Sequence, residues 1–266
     1  MKKGIEIFSL QGKNVMVTGA TGYLGAAMAQ SLAEAGAHVF VNSRSIDRSE
    51  ALVETLLALG LSAEAAVFDV TDPSAIAIFF SDRKDWPLHV LINNAYVGGA
   101  GCLELSGAEA YAASYEVTVL AAHNLLKAAL PALRNAVQER GDASVINLAS
   151  MYAMVSPDQR LYDSSAAVNP PFYGAAKAAL LQWTRYAACE FGVQGIRVNS
   201  VSPGPFPSTL VQQSNPAFVE RLSRKVPLGR VGQPHEIKGV MLFLASSASS
   251  FVNGANIVVD GGWTAW

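Results

Sequence analysis

The chain has 266 residues and a formal net charge of -2, with 51% hydrophobic and 15% charged residues. That apolar supply is ample for one large α/β domain, and the mixed, nearly balanced charge excludes the basic field that nucleic acid or an anionic membrane would demand. Cys102 and Cys189 form no CxxC pair, and His38, His89, His123 and His235 share no local ligand spacing, so the reading is a reducing cytoplasm, no disulfide framework and no metal.

The start, Met1-Lys2-Lys3-Gly4-Ile5-Glu6, leads into Gln11 and Lys13 and does not read as a signal peptide. No apolar run reaches the roughly eighteen residues of a membrane-spanning helix. Residues 13–18 (KNVMVT) read as a buried parallel strand, and a glycine-rich turn comes next. A helix is predicted over 26–35, closed by Gly36, then a second strand over 38–42. A helix over 47–59 stops at Gly60, a third strand covers 63–68, and Pro73 opens another helix. The fourth strand is 89–93. One long helix is predicted from about 109 to 137, kinked or broken at Pro131. A fifth strand (144–148), a helix (172–191) and a sixth strand (197–201) come after it, then a helix near 236–245 and a strand over 256–259. Both cysteines read as small buried hydrophobes.

Strands alternating with helices imply right-handed crossovers and a doubly wound parallel sheet: an α/β fold of Rossmann type, one domain over residues 1–266. No repeat, low-complexity tract or linker interrupts it. The segment 151–171, rich in Ser, Asp, Pro and Asn, is too long for an ordinary strand-to-helix loop and reads as an inserted loop. It leaves the carboxyl end of a strand, the edge where open parallel sheets bind ligands.

Thr18-Gly19-Ala20-Thr21-Gly22-Tyr23-Leu24-Gly25 lies between the first strand and the first helix. Glycines let the backbone approach a pyrophosphate, and the helix N-terminus offers free N–H groups and the positive end of its dipole. Three glycines also make a plain tight turn; the strand-turn-helix context favours dinucleotide binding. The spacing GxxGxxG resembles the short-chain dehydrogenase/reductase superfamily, and the resemblance covers nearly the whole chain. Compact members usually show TGxxxGxG; extended members, including sugar epimerases and dehydratases, show TGxxGxxG. The turn is similar to the extended type, and most of the chain beyond it is similar to the compact type. The resemblance implies a nicotinamide cofactor held along Gly19, Thr21, Gly22, Tyr23, Leu24 and Gly25.

The end of the second strand selects the cofactor. A carboxylate there bonds the adenosine ribose and repels a 2′-phosphate. Ser43 stands where NAD-preferring relatives carry Asp, and Arg44 can meet a 2′-phosphate bidentately, with Arg48 to assist. NADP(H) is therefore the expected cofactor and NAD(H) the alternative, although a solvated surface Arg is also a common use of Arg44. Asp69-Val70 resembles the family's adenine-contacting pair. Asn93-Asn94-Ala95 resembles its NNAG motif beside the ribose, with Asn93 and Ala95 as contacts and Tyr96 in place of glycine. The ring of Tyr96 either narrows the cofactor groove or points outward.

Tyr173-Gly174-Ala175-Ala176-Lys177 puts a phenol and an ammonium on one helix face, a turn apart. A nearby positive charge favours phenolate and lowers a phenol pKa of about 10. That spacing alone is a common accident. Upstream, Asn147-Leu148-Ala149-Ser150 ends the fifth strand and resembles the one that delivers the family's catalytic serine. The resemblance implies that Ser150 bonds the reacting oxygen, Tyr173 is the general acid or base, and Lys177 holds the nicotinamide ribose and tunes Tyr173. Thr118 falls where the family's water-holding asparagine stands, in Tyr115-Glu116-Val117-Thr118-Val119. Pro203 and Gly204 match the loop that closes over the nicotinamide, with Phe206 and Ser208 where relatives contact the carboxamide.

The expected activity is thus hydride transfer between NADP(H) and a carbonyl or alcohol. Two rivals stay open: a nucleotide-sugar epimerase or dehydratase, suggested by the glycine spacing, and a non-catalytic cofactor-binding protein, suggested by Thr118 and Tyr96. Too few residues come after Lys177 for the substrate domain of extended members, and intact Ser150, Tyr173 and Lys177 argue against the sensor. The polar inserted loop predicts a hydroxyl-rich substrate such as a sugar or polyol derivative, with Arg160 and Asp163 lining its pocket; capping the domain is the plain alternative. The long apolar helices and the tail Gly262-Trp263-Thr264-Ala265-Trp266 resemble surfaces that relatives bury in a homotetramer.

Overall fold

A computed structural model describes residues 4–83 and 85–266; Met1 to Lys3, on which part of the signal-peptide reading rests, lie outside the described residues. Seven strands form one sheet: β1 (Asn14–Val17), β2 (His38–Ser43), β3 (Ser62–Val67), β4 (Val90–Asn93), β5 (Ala143–Leu148), β6 (Ile196–Pro203) and β7 (Asn256–Val259). Their order is β3-β2-β1-β4-β5-β6-β7, and every neighbouring pair is parallel. The helices are α1 (Tyr23–Glu34), α2 (Ile46–Ala58), α3 (Pro73–Ser81), α4 (Ala108–Tyr115), α5 (Ala121–Arg140), α6 (Pro171–Phe191), α7 (Thr209–Ser214), α8 (Pro216–Lys225) and α9 (Lys238–Ala245). This is the single-domain, doubly wound Rossmann-type α/β fold that the strand-helix rhythm implies.

The central strands are apolar without a break because both sheet faces are covered. Side chains alternate between the faces. Val15, Val17, Val39, Val41, Val90 and Ile92 enter one core with Met28 and Leu32 of α1 and Leu244 of α9. Met16, Phe40, Leu91 and Val145 enter the other, with Phe79 of α3 and Leu125 and Leu133 of α5. From β1 the chain builds outward to β2 and β3, then crosses back to place β4 on the other side. That reversal leaves a crevice at the carboxyl ends of β1 and β4.

Several local expectations are corrected. The predicted helix 109–137 is α4 and α5, joined by a wider π turn at Glu116–Leu120. Pro131 neither ends nor interrupts α5. It lies on the exposed face, as does Lys127, whose carbonyl loses its helical donor there and can bond water instead. Helices α7 and α8 arise beyond Pro203 and Gly204, where no helix is predicted, each capped by a side chain: Ser208 accepts from the Val211 N–H and Asn215 from the Phe218 N–H. Cys189 is exposed and Cys102 half-buried, so neither is a buried hydrophobe. Trp263 is buried against Leu222 and Val226, while Trp266 is 78% exposed, so the tail presents one tryptophan rather than two. Among the described residues no helix is long and apolar enough to cross a membrane.

Candidate active site

The carboxyl ends of the strands open onto a cleft of about 960 Å³. The glycine turn forms its floor. Gly19 has φ 59°, and a Cβ there would stand 2.9 Å from the Ala95 Cα. A Cβ on Gly25 would stand 2.3 Å from the Gly19 carbonyl oxygen, so only glycine lets α1 pack on the turn. Thr18 Oγ1 accepts from the Asn94 and Ala95 N–H groups at 2.9 and 3.1 Å, and Asn94 Nδ2 donates to the Thr18 and Gly19 carbonyls. The turn is thereby fastened to the end of β4. No side chain caps α1 at Gly22, which leaves its first-turn N–H groups for a ligand. A rigid, bare backbone ahead of an uncapped helix end fits a pyrophosphate.

At one end of the cleft, the Ser43 hydroxyl donates to the Ser45 carbonyl at 2.9 Å and accepts from its N–H. Arg44 Nη1 lies 3.7 Å from Asp69 Oδ2 with its side chain 69% exposed, and Arg48 Nη2 donates to the Thr21 carbonyl at 3.0 Å. Burial raises the Asp69 carboxyl, but the Thr71 N–H and hydroxyl and the Arg44 guanidinium outweigh it and lower its pKa. Two guanidiniums therefore line this end of the cleft, Arg44 beside the Asp69 carboxylate and Arg48 on the Thr21 carbonyl.

At the other end, Ser150 comes directly after β5, and its Oγ accepts from the Tyr152 N–H at 3.1 Å. Gly174 lets α6 approach this turn, since a Cβ there would stand 2.7 Å from the Tyr152 carbonyl oxygen. Tyr173 and Lys177 both line the cleft from α6. Burial raises the Tyr173 phenol, and a hydrogen bond from Ser150 opposes the rise. Lys177 is only 4% exposed; Nζ donates to the Leu148 carbonyl, and burial pushes its pKa down to about 8. The Tyr96 ring points inward, edge-on to Tyr173 with centroids 4.7 Å apart.

Behind Lys177, Asn93 Nδ2 donates to Asn147 Oδ1 at 2.7 Å, and Asn147 Nδ2 donates to Thr184 Oγ1 at 2.8 Å. Asn93 Oδ1 and Thr118 Oγ1 are buried with no hydrogen-bond partner among the described residues. Both residues and Lys177 border a cavity of about 10 Å³, about the volume one water molecule needs.

Gly19, Thr21, Gly22, Tyr23, Leu24, Gly25, Ser43, Arg44, Asp69, Val70, Ala95, Ser150, Tyr173, Lys177, Pro203, Gly204 and Phe206 all line the one cleft. Asn93 does not: it faces β5, and Asn94 takes its place at the wall. Ser208 caps α7. Arg160 and Asp163 are not on the cleft wall either. Arg160 forks onto Asp158, which also receives Lys225, and Asp163 pairs with Arg221 of α8 at 2.7 Å. Arg160 and Lys225 hold the Asp158 carboxyl well below the usual carboxylate range. Tyr152 and Tyr162 join by their hydroxyls at 3.1 Å, and Tyr162 packs on Phe218. The inserted loop is thus bolted to α8, because its charges find partners there. Ala110, Ser114 and Glu116, around α4, complete the wall; they carry no motif and reach the site only through the packing of α4 on α6.

The enoyl-(acyl carrier protein) reductase family model matches residues 19–264. The chain is 31% identical over 263 residues to a gluconate 5-dehydrogenase of Gluconobacter oxydans, covering 97% of each protein. It is also 31% identical over 265 residues to a 5-keto-D-gluconate 5-reductase of Escherichia coli K12, again covering 97% of each. A crystal structure of a gluconate 5-dehydrogenase from Burkholderia cenocepacia, in complex with NADP and tartrate, superposes with a TM-score of 0.87 at 28% identity, covering 99% of this chain and 100% of that one.

Proposed function

The chain belongs to the short-chain dehydrogenase/reductase superfamily, and from that premise we propose that it is an NADP(H)-preferring oxidoreductase of a sugar acid, interconverting a secondary alcohol and its ketone. Its class, a nicotinamide-dependent oxidoreductase acting on CH–OH groups, is given by the family and by relatives along almost the full chain. The observation that carries the reading is the cleft itself: a bare phosphate cradle lies between Arg44 at one end and Ser150, Tyr173 and Lys177 at the other.

When bound, the nicotinamide cofactor supplies or accepts the hydride. The glycine turn would hold its pyrophosphate, and Pro203, Gly204 and Phe206, on the cleft wall near Tyr173, would hold its reactive end. Ser150 hydrogen-bonds the substrate oxygen as charge develops there. Tyr173 gives that oxygen a proton in reduction and takes one in oxidation. Lys177 lowers the cost of the Tyr173 phenolate by its charge. NADP(H) preference is supported by Ser43 and Arg44 and by the NADP in the related structure. The sugar-acid substrate is supported by the two gluconate relatives and by the tartrate, a hydroxylated carboxylic acid, in that structure. A screen read by NADPH absorbance, with gluconate, 5-ketogluconate, polyols and simple ketones, tests the reading. Turnover of apolar ketones alone would overturn the sugar-acid assignment. NAD that copurifies tightly would favour an epimerase instead.

We assign Thr118 the task of holding a water beside Lys177, together with Asn93. Thr118→Val keeps the shape and removes the hydroxyl. We expect turnover to fall about five- to tenfold, the worth of one or two hydrogen bonds. If Thr118 were merely an unsatisfied buried hydroxyl, the same variant would melt higher and turn over normally. Self-association is also expected, from exposed Trp266 and Tyr186. Light scattering at micromolar concentration checks it, and a monomer would refute it.

A further inference from the structure

Lys177 is a buried ammonium with no described carboxylate at ion-pair distance, an arrangement that is costly unless something else favours the charge. Its surroundings come from four directions. The Leu148 carbonyl of β5 accepts from Nζ, Thr118 of the π turn and Asn93 of β4 border the same small cavity, Tyr173 stands one turn earlier on α6, and Tyr96 lies just beyond β4. The titratable groups among these are the two phenols. Nζ lies 5.5 Å from the Tyr96 ring centroid and 5.8 Å from that of Tyr173, and the rings meet edge-on at 64°. Both distances are within the reach of cation–π attraction, which is stronger where water is excluded.

We propose that Tyr96 is a positioning residue for the reactive pair: with Tyr173 it lays two adjoining aromatic rings against one side of the Lys177 ammonium, and it braces the Tyr173 ring in the orientation that meets Ser150. The proposal rests on reading Tyr173 and Lys177 as the reactive pair. The ring carries the role, because the Tyr96 hydroxyl bonds no described residue. A glycine at this position would leave the ammonium with one ring and an open wall. The paired rings oppose the downward push of burial on Lys177 and so keep its charge beside the phenol.

Tyr96→Leu keeps the apolar cover and removes the π face. Lys177 then loses its proton more readily, less positive charge stands near Tyr173, and the phenolate becomes harder to form. The readout is the tyrosinate absorbance of the complex with oxidised NADP, titrated with base. Each protein is compared with the same protein carrying Tyr173→Phe, so that Tyr173 alone is read. In Tyr96→Leu the Tyr173 titration should move up by about one pH unit, and in Tyr96→Phe it should return to the parent's. Fluorinated phenylalanines placed at position 96 weaken the quadrupole without changing the fold-determining shape, and the shift should grow with each fluorine. A parental titration in Tyr96→Leu, an equal shift in Tyr96→Phe, or no dependence on fluorine would each overturn the proposal. The titration needs no substrate, so a failed screen would sink the sugar-acid reading and leave this test standing.

Discussion

Tyr173→Phe is expected to lower turnover about 10²–10⁴-fold, the usual contribution of a positioned general acid, while leaving NADP(H) affinity within about twofold. The substitution removes one oxygen. The ring stays, with its edge-on contact to Tyr96, and Lys177 keeps its bond to the Leu148 carbonyl. What is lost is the phenol beside Ser150, the proposed proton donor. Steady-state kinetics and calorimetry on the same preparation separate the two effects. Turnover within tenfold of the parent would remove Tyr173 from its assigned role. Lys177→Ala should differ in kind, damaging turnover and cofactor binding together, because the residue faces the cleft and also anchors the end of β5.

Ser43→Asp is expected to reverse the cofactor preference. In the parent, Arg44 and Arg48 flank the cleft mouth and no acid stands at position 43. A charge-assisted bond to a 2′-phosphate is worth about 1.5–3 kcal/mol, or roughly 10–100-fold in affinity. A carboxylate at 43 would repel that phosphate and accept from the ribose of NAD(H) instead. NADPH binding should therefore weaken about 10–100-fold and NADH binding tighten. Arg44 is 69% exposed, so the parent's preference should also shrink as salt is raised. Calorimetry with both cofactors decides the matter; a parent that binds NADH as tightly as NADPH would refute the assignment.

The sequence by itself determined the fold class and pointed to the glycine turn as the proposed phosphate cradle and to Ser150, Tyr173 and Lys177 as the proposed reactive trio, because each is a short-range pattern. Four of the five strands leading to Ser150 carry two β-branched residues each in a short apolar segment, glycines 19 and 25 stand where a Cβ would collide with the turn or its neighbour, and Tyr173 and Lys177 are one helical turn apart. The tertiary structure decided everything that depends on which element packs against which. Arg160 and Asp163 looked free to meet a substrate, but α8 brings Arg221 and Lys225 to the loop and leaves both away from the cleft. Trp263 turned inward because Leu222 and Val226 offer it apolar surface. The inward turn of Tyr96 was one of two readings open in the sequence, and only the meeting of the segment after β4 with Tyr173 of α6 chose it. Thr118 and Asn93, far apart along the chain, share one small cavity because the π turn at Glu116–Leu120 lies over the end of β4. Periodicity and turn chemistry act over a few residues and can be read directly; a side chain's partner across the core is fixed only when the layers close around it.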